Sequence, residues 1–350
     1  SAACTVVVQD EKNKDIGKRR KGRSAMPLLE IERLAVSFTR YRSRWGKEKV
    51  QVLHDVEFSV DAGEVVAVIG ASGSGKSLLA HALLGILPEN FSASGTIRYR
   101  GEPIDAERLK QMRGKEIALV PQSVRFLDPL MRVGAQVRLS VRGDDPYAAQ
   151  REVFHRYGLA PETENMYPFQ LSGGMARRVL VSTATVSGAR VIIADEPTPG
   201  LQAEDVREAL RHFREHADAG CAVLVITHDI ESVLTIADRV VVLYAGTTVE
   251  IAPAADFTGD GSRLRHPYSR ALWQALPQNG FTPIPGTQPQ PGKWPSGCLF
   301  APRCDQASPE CTFSRPELRT VRAGQVRCIH AHSEDDERGI SIDEAASDGI

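Results

Sequence analysis

Gly70-Ala71-Ser72-Gly73-Ser74-Gly75-Lys76-Ser77 is the stretch on which the reading of this chain turns. Ahead of it runs Gly63-Glu64-Val65-Val66-Ala67-Val68-Ile69, a β-branched run opened by glycine that reads as a short buried strand. Behind it, Leu78-Leu79-Ala80-His81-Ala82-Leu83-Leu84 reads as a helix. The pattern G-x-x-x-x-G-K-S thus stands in the strand–loop–helix context that its chemistry requires. Gly73 and Gly75 let backbone N–H groups converge on phosphate oxygens, and the helix N-terminus adds partial positive charge. Lys76 is expected to reach the β- and γ-phosphates and the Ser77 hydroxyl to ligate Mg²⁺. The alternative is a plain Gly/Ser-rich turn, and the flanking strand and helix argue against it.

Working outward, two more apolar runs carry polar ends. Val191-Ile192-Ile193-Ala194 delivers Asp195-Glu196, the form of a strand whose C-terminal edge faces the nucleotide. Asp195 is expected to hold Mg²⁺, and Glu196 to orient or deprotonate the attacking water. Ala222-Val223-Leu224-Val225-Ile226-Thr227 delivers His228, 32 residues after Glu196. Alone, His228 would read as an ordinary core or surface histidine; its place after a third strand turns it into a candidate. Leu171-Ser172-Gly173-Gly174-Met175 is a second possible anion site, with Ser172 as N-cap of a helix of about 14 residues and two glycines admitting close backbone approach.

Composition sets the bounds. The chain has 350 residues, 42% hydrophobic and 25% charged, so it is ordinary globular material with room for two domains. Its formal net charge of −1 gives no argument for nucleic-acid binding. No apolar run approaches the roughly 18 residues of a membrane span, and no secretory signal stands at the start, so the cytosol is the default compartment. Charge is uneven all the same: residues 1–25 are basic and residues 336–350 acidic, and both read as disordered tails.

The phosphate loop, Gln122 after the strand Ile117-Ala118-Leu119-Val120, the serine–glycine motif, Asp195-Glu196 and His228 together resemble the ATP-binding cassette (ABC) ATPases in order and spacing. The resemblance spans about residues 28–335. It implies an α/β fold of the ABC-type P-loop NTPase class: a RecA-like core (63–122 and 188–250), an antiparallel β subdomain (about 28–62) and a helical subdomain (about 123–187). These make up a nucleotide-binding domain over 26–250, followed by an extension over 251–335. It also implies that ATP is sandwiched between two cassettes, each phosphate loop facing the other's serine–glycine motif. Gly70, Ser72, Gly73, Ser74, Gly75, Lys76 and Ser77 would then hold ATP with Ser172, Gly173 and Gly174. Lys76, Gln122, Glu196 and His228 would be catalytic, and Ser77, Gln122 and Asp195 would serve Mg²⁺. Adenine would stack on an aromatic residue before the loop, Tyr41 being the first candidate and Phe38 and Trp45 the alternatives, and each could equally pack a hairpin.

Cys298, Cys304, Cys311 and Cys328 lie in a Pro/Gly-rich region with spacing C-x₅-C-x₆-C-x₁₆-C. Metal ligation would supply cross-links that such a segment lacks; two disulfides, or free buried thiols, are the alternatives. Cys221, just before a strand, reads as a core residue. His266-Pro267-Tyr268-Ser269-Arg270-Ala271-Leu272, Ile284-Pro285-Gly286 and Gly297-Cys298-Leu299-Phe300-Ala301-Pro302-Arg303-Cys304 resemble the ATPase subunits of oligopeptide, dipeptide and nickel importers. That resemblance implies import of peptides or chelated metal such as nickel, and a [4Fe–4S] cluster on the four cysteines. Its implied partners are a second, different ATPase subunit, two transmembrane permease subunits and an extracytoplasmic substrate-binding protein, at the cytoplasmic face of the cell membrane.

Two stretches depart from the family pattern. Gln202, in Pro199-Gly200-Leu201-Gln202, stands where an aspartate is usual, and the segment after Gln122 is one residue shorter and lacks the usual Asp-Pro directly after the glutamine. The other class considered is a soluble ABC ATPase of DNA repair or translation. Only 48 residues separate Gln122 from Leu171, too few for a long coiled coil, and there is no tandem cassette.

Overall fold

The computed structural model describes residues 26–41 and 46–331. The two terminal tails, Cys4 and Trp45 lie outside the described residues. Along the chain run β1 (Leu29–Tyr41), β2 (Lys47–Val60), β3 (Val65–Ile69), α1 (Lys76–Leu84), β4 (Phe91–Tyr99), β5 (Glu102–Pro103), α2 (Ala106–Met112) and β6 (Ile117–Val120). Then come α3 (Val133–Leu139), α4 (Pro146–Arg156), α5 (Gly173–Thr185), β7 (Val191–Asp195), α6 (Ala203–Asp218), β8 (Ala222–Ile226) and α7 (Ile230–Leu234). The last described elements are β9 (Arg239–Tyr244), β10 (Thr247–Pro253), α8 (Pro267–Gln274), β11 (Arg319–Val321) and β12 (Gly324–Val326).

The central sheet has eight strands in the order β11-β12-β10-β9-β3-β8-β7-β6. From β6 to β9 every neighbour is parallel; β10, β12 and β11 are added antiparallel. Strands β3, β7 and β8 are buried along their whole length, which is why they read as unbroken apolar runs. Successive residues nonetheless serve different faces. Val65, Ala67 and Ile69 join a cluster with α5 and α6, whereas Val66 and Val68 join one with Leu79 and Leu83 of α1 and with Leu29 and Leu53 of the second sheet. Each such valine or leucine contributes about 1.5–3 kcal/mol by leaving water.

The second sheet is antiparallel, in the order β2-β1-β4-β5. Its β4 and β5 come from residues 91–103, a stretch the sequence reading assigned to the RecA-like core. Pairing puts them elsewhere: Leu29 lies against Tyr99 and Phe38 against Phe91. On the other side, β10 runs across residue 250 and pairs with β12, so the C-terminal extension lengthens the core sheet.

Candidate active site

Parallel pairing brings the polar ends of the central strands together. Val68 and Asp195 both lie opposite Ile226, so the loops after β3, β7 and β8 leave the same sheet edge. At such an edge, outside the carboxyl ends of the strands, α/β sheets take ligands.

The loop after β3 forms an open cradle at the N-terminus of α1. Gly73 and Gly75 have φ of 78° and 95°, a region that L side chains rarely adopt, and a Cβ on Gly73 would meet nothing within 4 Å. Lys76 is buried and folds back, its Nζ donating to the carbonyls of Gly70 at 2.8 Å and Ala71 at 3.2 Å. Burial pulls its ammonium below the ordinary lysine range, and the Glu196 and Asp195 carboxylates oppose that pull. The Ser74 hydroxyl is buried with no hydrogen-bond partner, an orphan polar atom in a loop rich in N–H donors. An open, donor-lined cradle beside a buried cation fits the phosphates of a nucleotide.

The acids sit opposite. Ser77 Oγ donates to Asp195 Oδ1 at 3.2 Å, placing a hydroxyl and a carboxylate side by side as hard oxygen ligands for Mg²⁺. Burial raises the Asp195 carboxyl above its usual range, and the Ser77 hydrogen bond opposes this. Glu196 is only 7% exposed and takes a φ of 46°. A non-glycine residue held there costs on the order of 1–3 kcal/mol, and the hydrogen bond from Glu196 N to Ile226 O, 2.8 Å, helps to hold it. Glu196 Oε2 pairs with His228 Nδ1 at 2.8 Å and accepts from Thr227 Oγ1 at 3.4 Å. The His228 side chain is 67% exposed, so this carboxylate–imidazole pair opens to solvent.

Gln122 is exposed just beyond β6. Its carbonyl and that of Pro121 accept from the Arg177 guanidinium of α5, at 2.9 and 2.8 Å. Arg177 is buried and was not singled out from the sequence; nothing local in Arg177-Arg178 tells the buried residue from its neighbour. Ser172 caps α5 as expected, accepting from Met175 N at 3.2 Å. The helix runs 13 residues, and Ser172 and Gly173 at its tip are exposed. Phe38 packs on Phe91 across β1 and β4 with centroids 5.5 Å apart, the part of a sheet-packing residue. Tyr41 ends β1, and Trp45 lies outside the described residues.

In the extension, Cys298, Cys304, Cys311 and Cys328 share one neighbourhood. Cys298 N donates to Cys311 O at 2.8 Å, and the thiols of Cys298, Cys304 and Cys328 each feel at least one other of the four. Burial pushes all three up, Cys304 to about 11. None of the five described cysteines forms a disulfide. Four clustered thiols have the donor chemistry of an iron–sulfur site, although among the described residues no group of three or more His, Cys, Asp or Glu side chains is in position to hold one metal ion. His330, which the sequence did not mark, places Nε2 3.4 Å from Cys311 Sγ. Cys221 is buried in the core as expected.

A phosphate cradle, an Asp-Glu strand end with His228 paired to the glutamate, and a capped serine–glycine helix on one α/β sheet define an ABC-type P-loop ATPase. Residues 53–199 match the ABC transporter family, and residues 249–311 match the oligopeptide/dipeptide transporter C-terminal region. The chain is 32% identical over 323 residues to a peptide import ATP-binding protein of Brucella abortus, covering 86% of this chain and 94% of that one. It is 33% identical over 322 residues to the D,D-dipeptide transport ATP-binding protein DdpD of Escherichia coli, covering 86% and 95%. Its fold superposes on a post-hydrolysis dimer of the ATP-binding cassette MJ0796 bound to ADP and Pi with a TM-score of 0.56, at 24% identity, covering 65% of this chain and 98% of that one. The chain belongs to the ATP-binding proteins of the oligopeptide/dipeptide ABC transporter family and is an ATPase. Among the described residues no helix is long and apolar enough to cross a membrane.

Proposed function

We propose that this chain powers peptide import at the cytoplasmic face of the cell membrane, paired with a second, different ATPase subunit beneath two permease subunits. An extracytoplasmic binding protein delivers the cargo. The observation that carries the hydrolytic reading is the convergence of Lys76, Ser77, Asp195, Glu196 and His228 on one sheet edge. The names of the relatives support peptide as cargo.

In this reading Lys76 and backbone amides over 72–77 bind the β- and γ-phosphates, and Ser77, Asp195 and Gln122 would hold Mg²⁺. When bound there, Mg²⁺ would supply neutralisation of the charge that develops on the phosphates. Glu196 aligns a water against the γ-phosphorus and takes its proton as the new P–O bond forms and the bond to the β-phosphate oxygen breaks. His228, already paired with Glu196, contacts the γ-phosphate and stabilises the charge released. The exposed tip at Ser172, Gly173 and Gly174 offers its amides to ATP held by the partner cassette. That leaves this chain's own ATP to the partner's tip, so one cassette alone makes half of each site. The cassette is read as 26–250 and the extension as 251–335, joined through β10, and Phe126, Leu130 and Phe169, exposed on the helical part, are its apolar contacts for a permease. Cys298, Cys304, Cys311 and Cys328 would hold a [4Fe–4S] cluster only by drawing their thiols closer than they stand here; it would cross-link the extension, and no step of hydrolysis passes through it.

Vesicles carrying the two permeases and both ATPase subunits test this. Peptide-loaded binding protein should stimulate phosphate release severalfold; stimulation by a nickel chelate instead would reassign the cargo, and retention of the chain on DNA or ribosomes at physiological salt would overturn transport. Iron and sulfide analysis of anaerobically purified protein tests the cluster, and colourless, zinc-containing protein would refute it.

A further inference from the structure

One peptide unit of the phosphate loop is held at both ends, and one of its holders comes from far away in sequence. The carbonyl of Gly70 accepts from Lys76 Nζ at 2.8 Å, while the N–H of the same peptide, on Ala71, donates to the Tyr268 hydroxyl at 3.1 Å. Tyr268 lies on α8 of the C-terminal extension and is fully buried. Turning that peptide to release the N–H would also swing its carbonyl away from the lysine. The phenol therefore bears on where the ammonium points.

The ring is itself fixed from several sides. It packs on Tyr244 with centroids 4.4 Å apart and on Phe300 at 5.4 Å, and Phe300 meets Tyr244 edge-on at 5.3 Å. Arg303 donates to the Tyr244 hydroxyl at 3.2 Å and to the Pro285 carbonyl at 2.7 Å. Phe300 and Arg303 both lie in the loop between Cys298 and Cys304. Before α8, Arg265 is tied down in a buried cluster with Glu250 and Asp256. A second strap reaches the same loop: Gln288 Nε2 donates to Gly73 O at 3.3 Å. Burial pushes the Tyr268 phenol up to about 12, so it stays a neutral hydroxyl at any working pH.

We infer that Tyr268 is a positioning residue for ATP binding: the C-terminal extension, through this hydroxyl, sets the Gly70–Ala71 peptide that aims Lys76. The inference rests on the reading of Lys76 as a phosphate ligand. It gives the extension a part in nucleotide handling beside any part in folding, and it places the loop between Cys298 and Cys304 one ring away from the cradle.

Tyr268→Phe in the full-length protein removes the hydroxyl and keeps the ring packing. Affinity for a fluorescent ATP analogue should fall roughly two- to tenfold, the worth of one neutral hydrogen bond. Amide exchange over residues 70–75 should quicken, with the unfolding transition still a single cooperative step. Unchanged affinity overturns the proposal, whatever happens to the unfolding midpoint. Weaker binding with unchanged exchange in the loop overturns it too, because the effect would then bypass the peptide. Lys76→Ala is the parallel control. If that variant kept full ATP affinity, the reading of the loop would fail on its own, independently of Tyr268.

Discussion

Replacing Glu196 by glutamine isolates the chemical step from the fold. The side chain keeps its shape, its carbonyl oxygen can still accept where Oε2 meets Thr227 Oγ1, and the backbone hydrogen bond from Glu196 N to Ile226 O is untouched. What is lost is a negative, proton-accepting oxygen 2.8 Å from His228 Nδ1. A positioned general base is worth about 10²- to 10⁴-fold in rate, or about 3–5 kcal/mol at 1.36 kcal/mol per decade. ATP affinity depends on the loop and Lys76 and should change little. The assay is phosphate release by the assembled complex under saturating ATP, beside equilibrium ATP binding by the same preparation. Turnover within tenfold of the unaltered protein would refute the placing of Glu196 as base. Loss of binding together with turnover would mean that the carboxylate serves the ground state.

Three further outcomes follow from the geometry. Arg265→Ala would take the guanidinium from Glu250, which is 0% exposed, and leave Asp256 with Arg263 alone; urea unfolding should give a loss of about 3–5 kcal/mol, and a loss under about 1 kcal/mol would contradict the buried ion cluster. Burial lowers His54 and His216 to about 4 and His266 to about 3, so their neutral forms favour the fold. That stability is complete above the unfolded value near 6.5 and drains as pH falls toward 4, by up to about 1.4 kcal/mol per histidine per pH unit; midpoints that stay level between pH 7 and 4.5 would contradict it. Gln202 is the N-cap of α6 and makes no side-chain cap bond, so Gln202→Asp should raise stability by about 0.5–2 kcal/mol in the same assay.

The parts legible in the sequence are those whose chemistry needs contiguous residues. A phosphate cradle needs glycine, lysine and serine within one turn, and strands buried on both faces announce themselves as Val65–Ile69, Val191–Ala194 and Ala222–Ile226. The N-cap at Ser172 was equally local. What stayed hidden depends on distant partners. Residues 91–103 join the antiparallel sheet through pairing with β1, some 60 residues earlier, and nothing within the stretch states that choice. The Tyr268 hydroxyl finds Ala71 across 197 residues, and Arg177 finds the carbonyls beside Gln122 across 55 or more. The strained backbone of Glu196 is likewise held by a hydrogen bond to Ile226 of β8, which the run of residues does not reveal.

The central claim is that one ATP is held by Lys76 of this chain and by a serine–glycine helix tip of its partner, with the reciprocal contact made by Ser172, Gly173 and Gly174 here. A structure of the Glu196→Gln protein with its partner cassette and ATP measures it directly. The account predicts the amides of Gly173 and Gly174 within hydrogen-bonding distance of the γ-phosphate bound by the partner. Finding that tip in solvent, with both nucleotides fully enclosed by single chains, would contradict it.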